Sequence, residues 1–137
     1  VACAVAHSNS GKLADALKEK PLPVPRVKVK SSQTAKFVLR QCRHCKKPRC
    51  VTSCEMGAIY RAKEGRTIID ERKCNGCFRC VSACPFGAIM MEKDRKIVLV
   101  CDYCINLAEP ACIKACPTKV FADKLMPNKP LEMEGIL

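Results

Sequence analysis

The stretch Cys74-Asn-Gly-Cys77-Phe-Arg-Cys80-Val-Ser-Ala-Cys84-Pro85 places four thiols at intervals of two, two and three intervening residues and ends on a proline. Three side chains so close in sequence belong to one tight loop; the fourth is a helical turn further on, where the proline turns the chain out. Two variants flank it: Cys42-x2-Cys45-x4-Cys50-x3-Cys54 before, and Cys101-x2-Cys104-x7-Cys112-x3-Cys116 followed by Pro117 after. Cys3 stands apart from all three runs.

Thirteen cysteines in 137 residues mean cross-linking, by disulfides or by metal. An odd count and ligand-like spacings argue against a disulfide framework. Structural zinc sites join two C-x2-4-C pairs set a dozen or more residues apart, whereas here three or four thiols crowd into each short run. That crowding is the pattern of iron-sulfur ligation, in which three thiolates of one loop reach three irons of a cube and the loop's N–H groups turn toward the sulfides. With no Trp, four Phe and two Tyr, the chain has little large apolar surface, so an inorganic centre is expected in place of part of the core.

Each run is followed by a related segment: Cys54-Glu-Met-Gly57-Ala58-Ile59, Cys84-Pro-Phe-Gly87-Ala88-Ile89 and Cys116-Pro-Thr-Lys119-Val120-Phe121. This is a repeat of roughly 30 residues, each unit a cluster loop, a short helix carrying the fourth cysteine, and a strand. Gly57 and Gly87 supply the positive φ that leaves the helical turn. Residues 58–61 with 67–70, and 88–91 with 97–100, predict β-hairpins around Lys63-Glu64-Gly65 and Lys93-Asp94-Arg95. Pro110 suits a helix start before Cys112. Upstream, residues 11–20 carry Leu13, Ala14, Ala16 and Leu17 on one face and predict a short amphipathic helix. Pro21-Leu-Pro23-Val-Pro25 then imposes an extended path, and Arg26-Val-Lys28-Val-Lys30 predicts a strand with one basic face, pairing with residues 36–40. The tail from Asp123, with Pro127 and Pro130, shows no period. The fold expected is α+β, with tandem ferredoxin-like modules of short hairpins and short helices.

The formal charge of +12 overstates the holo-protein, because an oxidised [4Fe-4S] cluster with four thiolates carries roughly minus two, and three would leave roughly +6. Nucleic acid is therefore not expected as a partner, although a zinc-stabilised nucleic-acid-binding module is the rival from another class. No apolar run reaches membrane-spanning length, the longest being Ile97 to Cys101. His7 and His44 are the only histidines, and neither a Ser-His-Asp arrangement nor a phosphate-binding loop is present, so no catalytic residue is assigned. The sequence opens Val1-Ala2-Cys3 without Met; the expected compartment is the cytoplasm, with an upstream signal left open.

With these runs in view, and with Ala2-Cys3-Ala4-Val5-Ala6-His7-Ser8, Gln41-Cys42-Arg43-His44-Cys45 and Cys101-Asp102-Tyr103-Cys104, the chain resembles the polyferredoxin-type [4Fe-4S] electron-transfer subunits of oxidoreductases such as formate dehydrogenase and dimethyl sulfoxide reductase. It looks most like the ferredoxin-like subunit that serves carbon monoxide dehydrogenase. The likeness runs from residue 1 to about 121. It implies crossed ligation between runs: one cluster on Cys42, Cys45, Cys50 and Cys84; a second on Cys74, Cys77, Cys80 and Cys54; a third on Cys101, Cys104, Cys112 and Cys3. Cys3 matches the last cysteine of a first run whose other members would lie upstream, and Cys116 would wait for them; the intact parent would then hold four clusters. If each run closed on itself instead, the count would still be three and Cys3 would be free.

The implied organisation is residues 1–41 as a remnant of the first motif with a connecting insertion, 42–100 as a two-cluster module, 101–121 as the last motif packing with 1–41, and 122–137 as a tail. The implied function is a wire between a catalytic oxidoreductase subunit and a hydrogenase, membrane or soluble acceptor, with a diffusible polyferredoxin as the alternative. Arg43, His44 and Arg79 are candidate potential tuners, and Phe78, Phe86 and Tyr103 candidate water shields. Glu55 stands where the family has proline, and a carboxylate there would lower a nearby potential unless solvated.

Overall fold

The computed structural model describes residues 1–31 and 37–118. Its regular structure comes in short pieces strung between the cysteine loops. The helices α1 (Ala2–Ala6), α2 (Leu13–Ala16), α3 (Arg49–Thr52), α4 (Arg79–Ala83) and α5 (Ala111–Lys114) each make little more than one turn. Helices of that length are unstable alone in water, so they persist through what they touch. Among them α1 packs on α5, and α3 on α4.

Six strands form three separate antiparallel hairpins: β1 (Lys28–Ser31) with β2 (Phe37–Arg40), β3 (Ile59–Arg61) with β4 (Thr67–Ile69), and β5 (Met90–Glu92) with β6 (Ile97–Leu99). In register, Lys28 faces Arg40, Ile59 faces Ile69, and Met90 faces Leu99. The two downstream hairpins lie around the charged turns where they are expected. In the first, the Asp70 N–H still reaches the Ala58 carbonyl at 2.8 Å, extending the pairing beyond the strands. The second starts two residues late: Gly87, at φ 54°, turns the chain, and Ala88 and Ile89 are buried before pairing begins. Gly57 makes the equivalent turn at φ 59°. The architecture is a small α+β fold of short hairpins and short helices.

Three local expectations are corrected. The amphipathic helix over 11–20 shrinks to α2, with only Ala16 buried; Leu13 and Leu17 face solvent. An apolar stripe holds a helix only where a surface receives it, and here the chain is tied instead by the Glu19 carboxylate, which accepts from the Asn9 and Ser10 N–H groups at 3.1 and 2.9 Å. The strand expected from Arg26 begins at Lys28 and has no covered face, since all four β1 residues are exposed. Lastly, it is the third cysteine of each run, Cys50, Cys80 or Cys112, that rides in a helix; the fourth follows the last turn, with Cys84 as the C-cap of α4. Lys36, the strand expected around Val120-Phe121 and the tail from Asp123 lie outside the described residues.

The core is built from sulfur as much as carbon. Cys42, Cys80 and Cys101 are buried in one cluster with Ile59, Ile89, Val98 and Val100, and Cys50, Cys54, Cys74, Cys84, Phe78 and Tyr103 pack against it half-buried. Among the described residues no helix is long and apolar enough to cross a membrane.

Candidate metal centres

The three cysteine loops share a backbone device. In each run the residue just before the second cysteine is left-handed: His44 at φ 46°, Gly76 at φ 70° and Tyr103 at φ 57°. Left-handed backbone costs a non-glycine residue roughly 1–2 kcal/mol, so its recurrence at His44 and Tyr103 marks a conformation the loop requires. Such turns gather successive N–H groups into a concavity suited to an anionic centre. The His44 N–H already points at Cys42 Sγ, 3.5 Å away.

The thiols fall into groups that cut across the runs. The Cys50 thiol is pushed up by burial and by the charges of Cys84 and Cys45. Cys42 is pushed up to about 12, by burial first and then by Cys101, Cys50 and Cys45. Cys80 is raised to about 11 by burial and by Cys54, Cys74 and Cys77. Burial raises Cys112 too, with Cys104 and Cys3 adding to it, and Cys101 reaches about 11 through burial opposed by hydrogen bonds, with Cys3 among its repulsive neighbours. Thus Cys84 acts on Cys50, Cys54 on Cys80, and Cys3 on Cys112 and Cys101, each from another run, and Cys101 also acts on Cys42. None of these twelve thiols is in a disulfide. Cys116, beyond α5, lies 3.4 Å from Thr118 Oγ1.

Four thiols that repel one another as thiolates in a partly dry site fit a multivalent cationic centre, whose positive charge relieves both the crowding and the burial. The geometry agrees: Cys54, Cys74, Cys77 and Cys80 line one small hollow, part of it open to solvent, walled by Ile59, Phe78 and Val98. A donor set of sulfur alone suits iron-sulfur clusters or zinc, and the crowding of three thiols on each loop selects the cluster.

A charged clamp joins the N-terminal segment to the third loop. Asp102, between Cys101 and Cys104, accepts from His7 Nε2 at 3.1 Å, from Arg26 Nη1 at 2.8 Å and from the Cys104 N–H at 2.9 Å. His7 Nδ1 lies 2.8 Å from the Cys3 carbonyl oxygen, and the Arg26 N–H donates to Cys3 Sγ at 3.2 Å. Burial works against the Asp102 carboxylate, yet the His7 hydrogen bond and the Arg26 charge hold it at about 2. His7 is raised to about 10, its burial outweighed by bonds to Asp102 and Cys3. His7, Asp102 and Cys104 come within 4.8 Å of one another, a closeness this clamp accounts for.

The candidate tuners have structural partners of their own. Arg43 lies over the Phe86 ring at 4.2 Å. His44 stacks on Tyr103 with centroids 4.1 Å apart, and its Nδ1 accepts from the Thr67 N–H at 2.8 Å. That bond assigns the proton of the neutral ring to Nε2, and burial, the largest influence, lowers the ring to about 4. Arg79 pairs with Glu55, and both side chains are largely exposed, so the Glu55 carboxylate is ion-paired and solvated. Phe78 and Tyr103 pack against the sulfur core; Phe86 is more exposed. Asp102 and Gln41 carry no periodic signal, and the alternation that begins at Arg26 points to a strand rather than to this clamp, so reading spacing misses all three. Asp102 alone has a local cue, since an Asp two residues before a turn N–H caps it.

Residues 33–124 match the family of the 4Fe-4S dicluster domain, and the chain belongs to that family. It is 35% identical to an iron-sulfur protein of Rhodospirillum rubrum, the match covering 88% of this chain and 71% of that one. It is also 35% identical to the thiosulfate reductase electron transfer subunit PhsB of Salmonella typhi, covering 60% of this chain and 45% of the relative. To the B polypeptide of the anaerobic dimethyl sulfoxide reductase of Escherichia coli it is 34% identical, covering 64% and 44%. The chain thus spans less than half the length of these two reductase relatives.

Proposed function

We propose that the chain is the electron-transfer iron-sulfur subunit of an oxidoreductase complex, with [4Fe-4S] clusters on Cys42, Cys45, Cys50 and Cys84, on Cys74, Cys77, Cys80 and Cys54, and on Cys101, Cys104, Cys112 and Cys3. The observation that carries the proposal is that Cys54 of the first run lines one hollow with Cys74, Cys77 and Cys80 of the second, while α1, which bears Cys3, packs on α5, which bears Cys112. Such a cluster, when bound, takes up and returns one electron at a time without making a bond to substrate.

The chain's own residues hold, shield and bias those sites. The twelve thiolates bind. Ile59, Val98 and Phe78 form the apolar wall of the hollow around Cys54 and Cys80, and limited exposure is one of the levers on potential. N–H groups of His44, Ala88 and Arg26 donate to the sulfurs of Cys42, Cys84 and Cys3 at 3.5, 3.5 and 3.2 Å, lowering the charge each thiolate presents. Substrate chemistry then belongs to another subunit, a reading supported by the relative described as an electron transfer subunit of thiosulfate reductase.

For the partner we favour carbon monoxide dehydrogenase, formate dehydrogenase or a reductase of the kind the relatives serve, with a hydrogenase, membrane or soluble acceptor downstream. The segments around Cys3, His44 and Asp102 support the first of these. The hairpin β1–β2, whose Val29, Val38 and Leu39 are exposed, favours a docked subunit over a diffusible carrier.

Anaerobic reconstitution tests the cluster proposal: about twelve irons and twelve sulfides per chain are expected, with a brown chromophore and a reduced-state paramagnetic signal. A colourless protein that takes up only zinc refutes it. Migration of the holo-protein from its native source as a lone small species would refute the subunit reading while leaving the clusters intact.

A further inference from the structure

Gln41 is one of the few polar side chains withdrawn almost wholly from water, at 5% exposure. Its Nε2 donates to Cys101 Sγ at 3.4 Å across 60 residues of chain, while its backbone leads directly into Cys42, a thiol of a different set. Its carbonyl oxygen Oε1 is buried without a hydrogen-bond partner. A buried amide with half its hydrogen-bonding unmet is unfavourable, so the interaction made by the other half is the one to explain. The backbone N–H groups that reach Cys3, Cys42 and Cys84, and that of Tyr103 at Cys101 itself, are ones almost any residue would provide, whereas the side-chain bond from Gln41 to Cys101 exists only because position 41 carries an amide.

We infer that Gln41 is a potential-setting residue for the cluster held by Cys101. The inference rests on the proposed ligation and adds to it a side chain with a direction of effect. A cluster gains negative charge on reduction, and an N–H dipole aimed at a ligand sulfur stabilises that charge more than it stabilises the oxidised form. Gln41 therefore raises the potential of that site relative to the same thiols without it. Being buried, the dipole acts unscreened by solvent.

The test uses the fully reconstituted chain. Gln41→Leu and Gln41→Met remove the donor and leave an apolar side chain of comparable size. Iron content and the reduced-state paramagnetic spectrum are followed through an anaerobic redox titration. The expected result is wild-type iron in both variants, with one cluster titrating at a more negative potential and the others unmoved. The component that moves is also the one lost in Cys101→Ala. Unchanged potentials at wild-type iron content overturn the inference. Loss of iron from both variants overturns it equally, because Gln41 would then be a packing residue. If Cys101→Ala itself leaves the iron content unchanged, the ligation is what fails, a result distinct from either.

Discussion

Arg26 Nη1 and Asp102 Oδ2 meet at 2.8 Å although 76 residues separate them in the chain, and their side chains are only 16% and 13% exposed. This contact, with His7 on the other carboxylate oxygen, brings the segment bearing Cys3 against the loop of Cys101 and Cys104. The packing of α1 on α5 joins the same two segments, but both helices are little more than one turn long. Charge pairing here takes the part that apolar burial takes in a larger domain.

Asp102→Ala is accordingly expected to leave a largely buried guanidinium uncompensated and to destabilise the protein by about 3 kcal/mol. Glu71, 3.6 Å from Arg26 Nη2, softens the loss. Anaerobic denaturant unfolding measures it. The double variant Arg26→Met with Asp102→Leu should recover part of the difference, and strict additivity of the two changes would show that the pair is not coupled.

Cys84→Ser discriminates crossed from closed ligation. Its effect is expected at the cluster of Cys42, Cys45 and Cys50, with iron falling by about one third and with the same spectral component lost as in Cys45→Ala. Matching the loss seen in Cys77→Ala instead would assign Cys84 to its own run.

Gly76→Ala probes the second loop. At φ 70° an added Cβ would sit 2.3 Å from the Lys96 carbonyl oxygen, so the loop or the β5–β6 turn must move. A cost of about 2 kcal/mol or more is expected from backbone strain and clash together, with iron lost preferentially from the set of Cys74. Full iron retention and an unchanged unfolding midpoint would refute this.

Removing iron by chelation under reducing conditions is expected to unfold the chain cooperatively rather than leave a folded apo-protein. Cys42, Cys80 and Cys101 are core residues here, and metal bound by several segments of the chain cross-links elements that bury little apolar surface on their own. Far-ultraviolet circular dichroism before and after chelation checks it; a preserved spectrum would mean that the hairpins stand without the clusters.

The residue pattern made the α+β class, the two downstream hairpins and the glycine turns legible, because each depends on chemistry within a few residues: β-branched runs in 67–70 and 97–100 set off by charged turns, positive φ at Gly57 and Gly87, a proline before Cys112. Where a local pattern needed a distant surface, it misled. Leu13 and Leu17 mark a helical face that nothing covers, and the alternation from Arg26 does not foretell that both faces of β1 are exposed. The contacts from Arg26 to Asp102 and from Gln41 to Cys101 have no period at all. A hydrogen bond across 60 or 76 residues leaves no mark on its neighbours in sequence, and comes into being only when packing of the thiol-lined loops brings the two ends together.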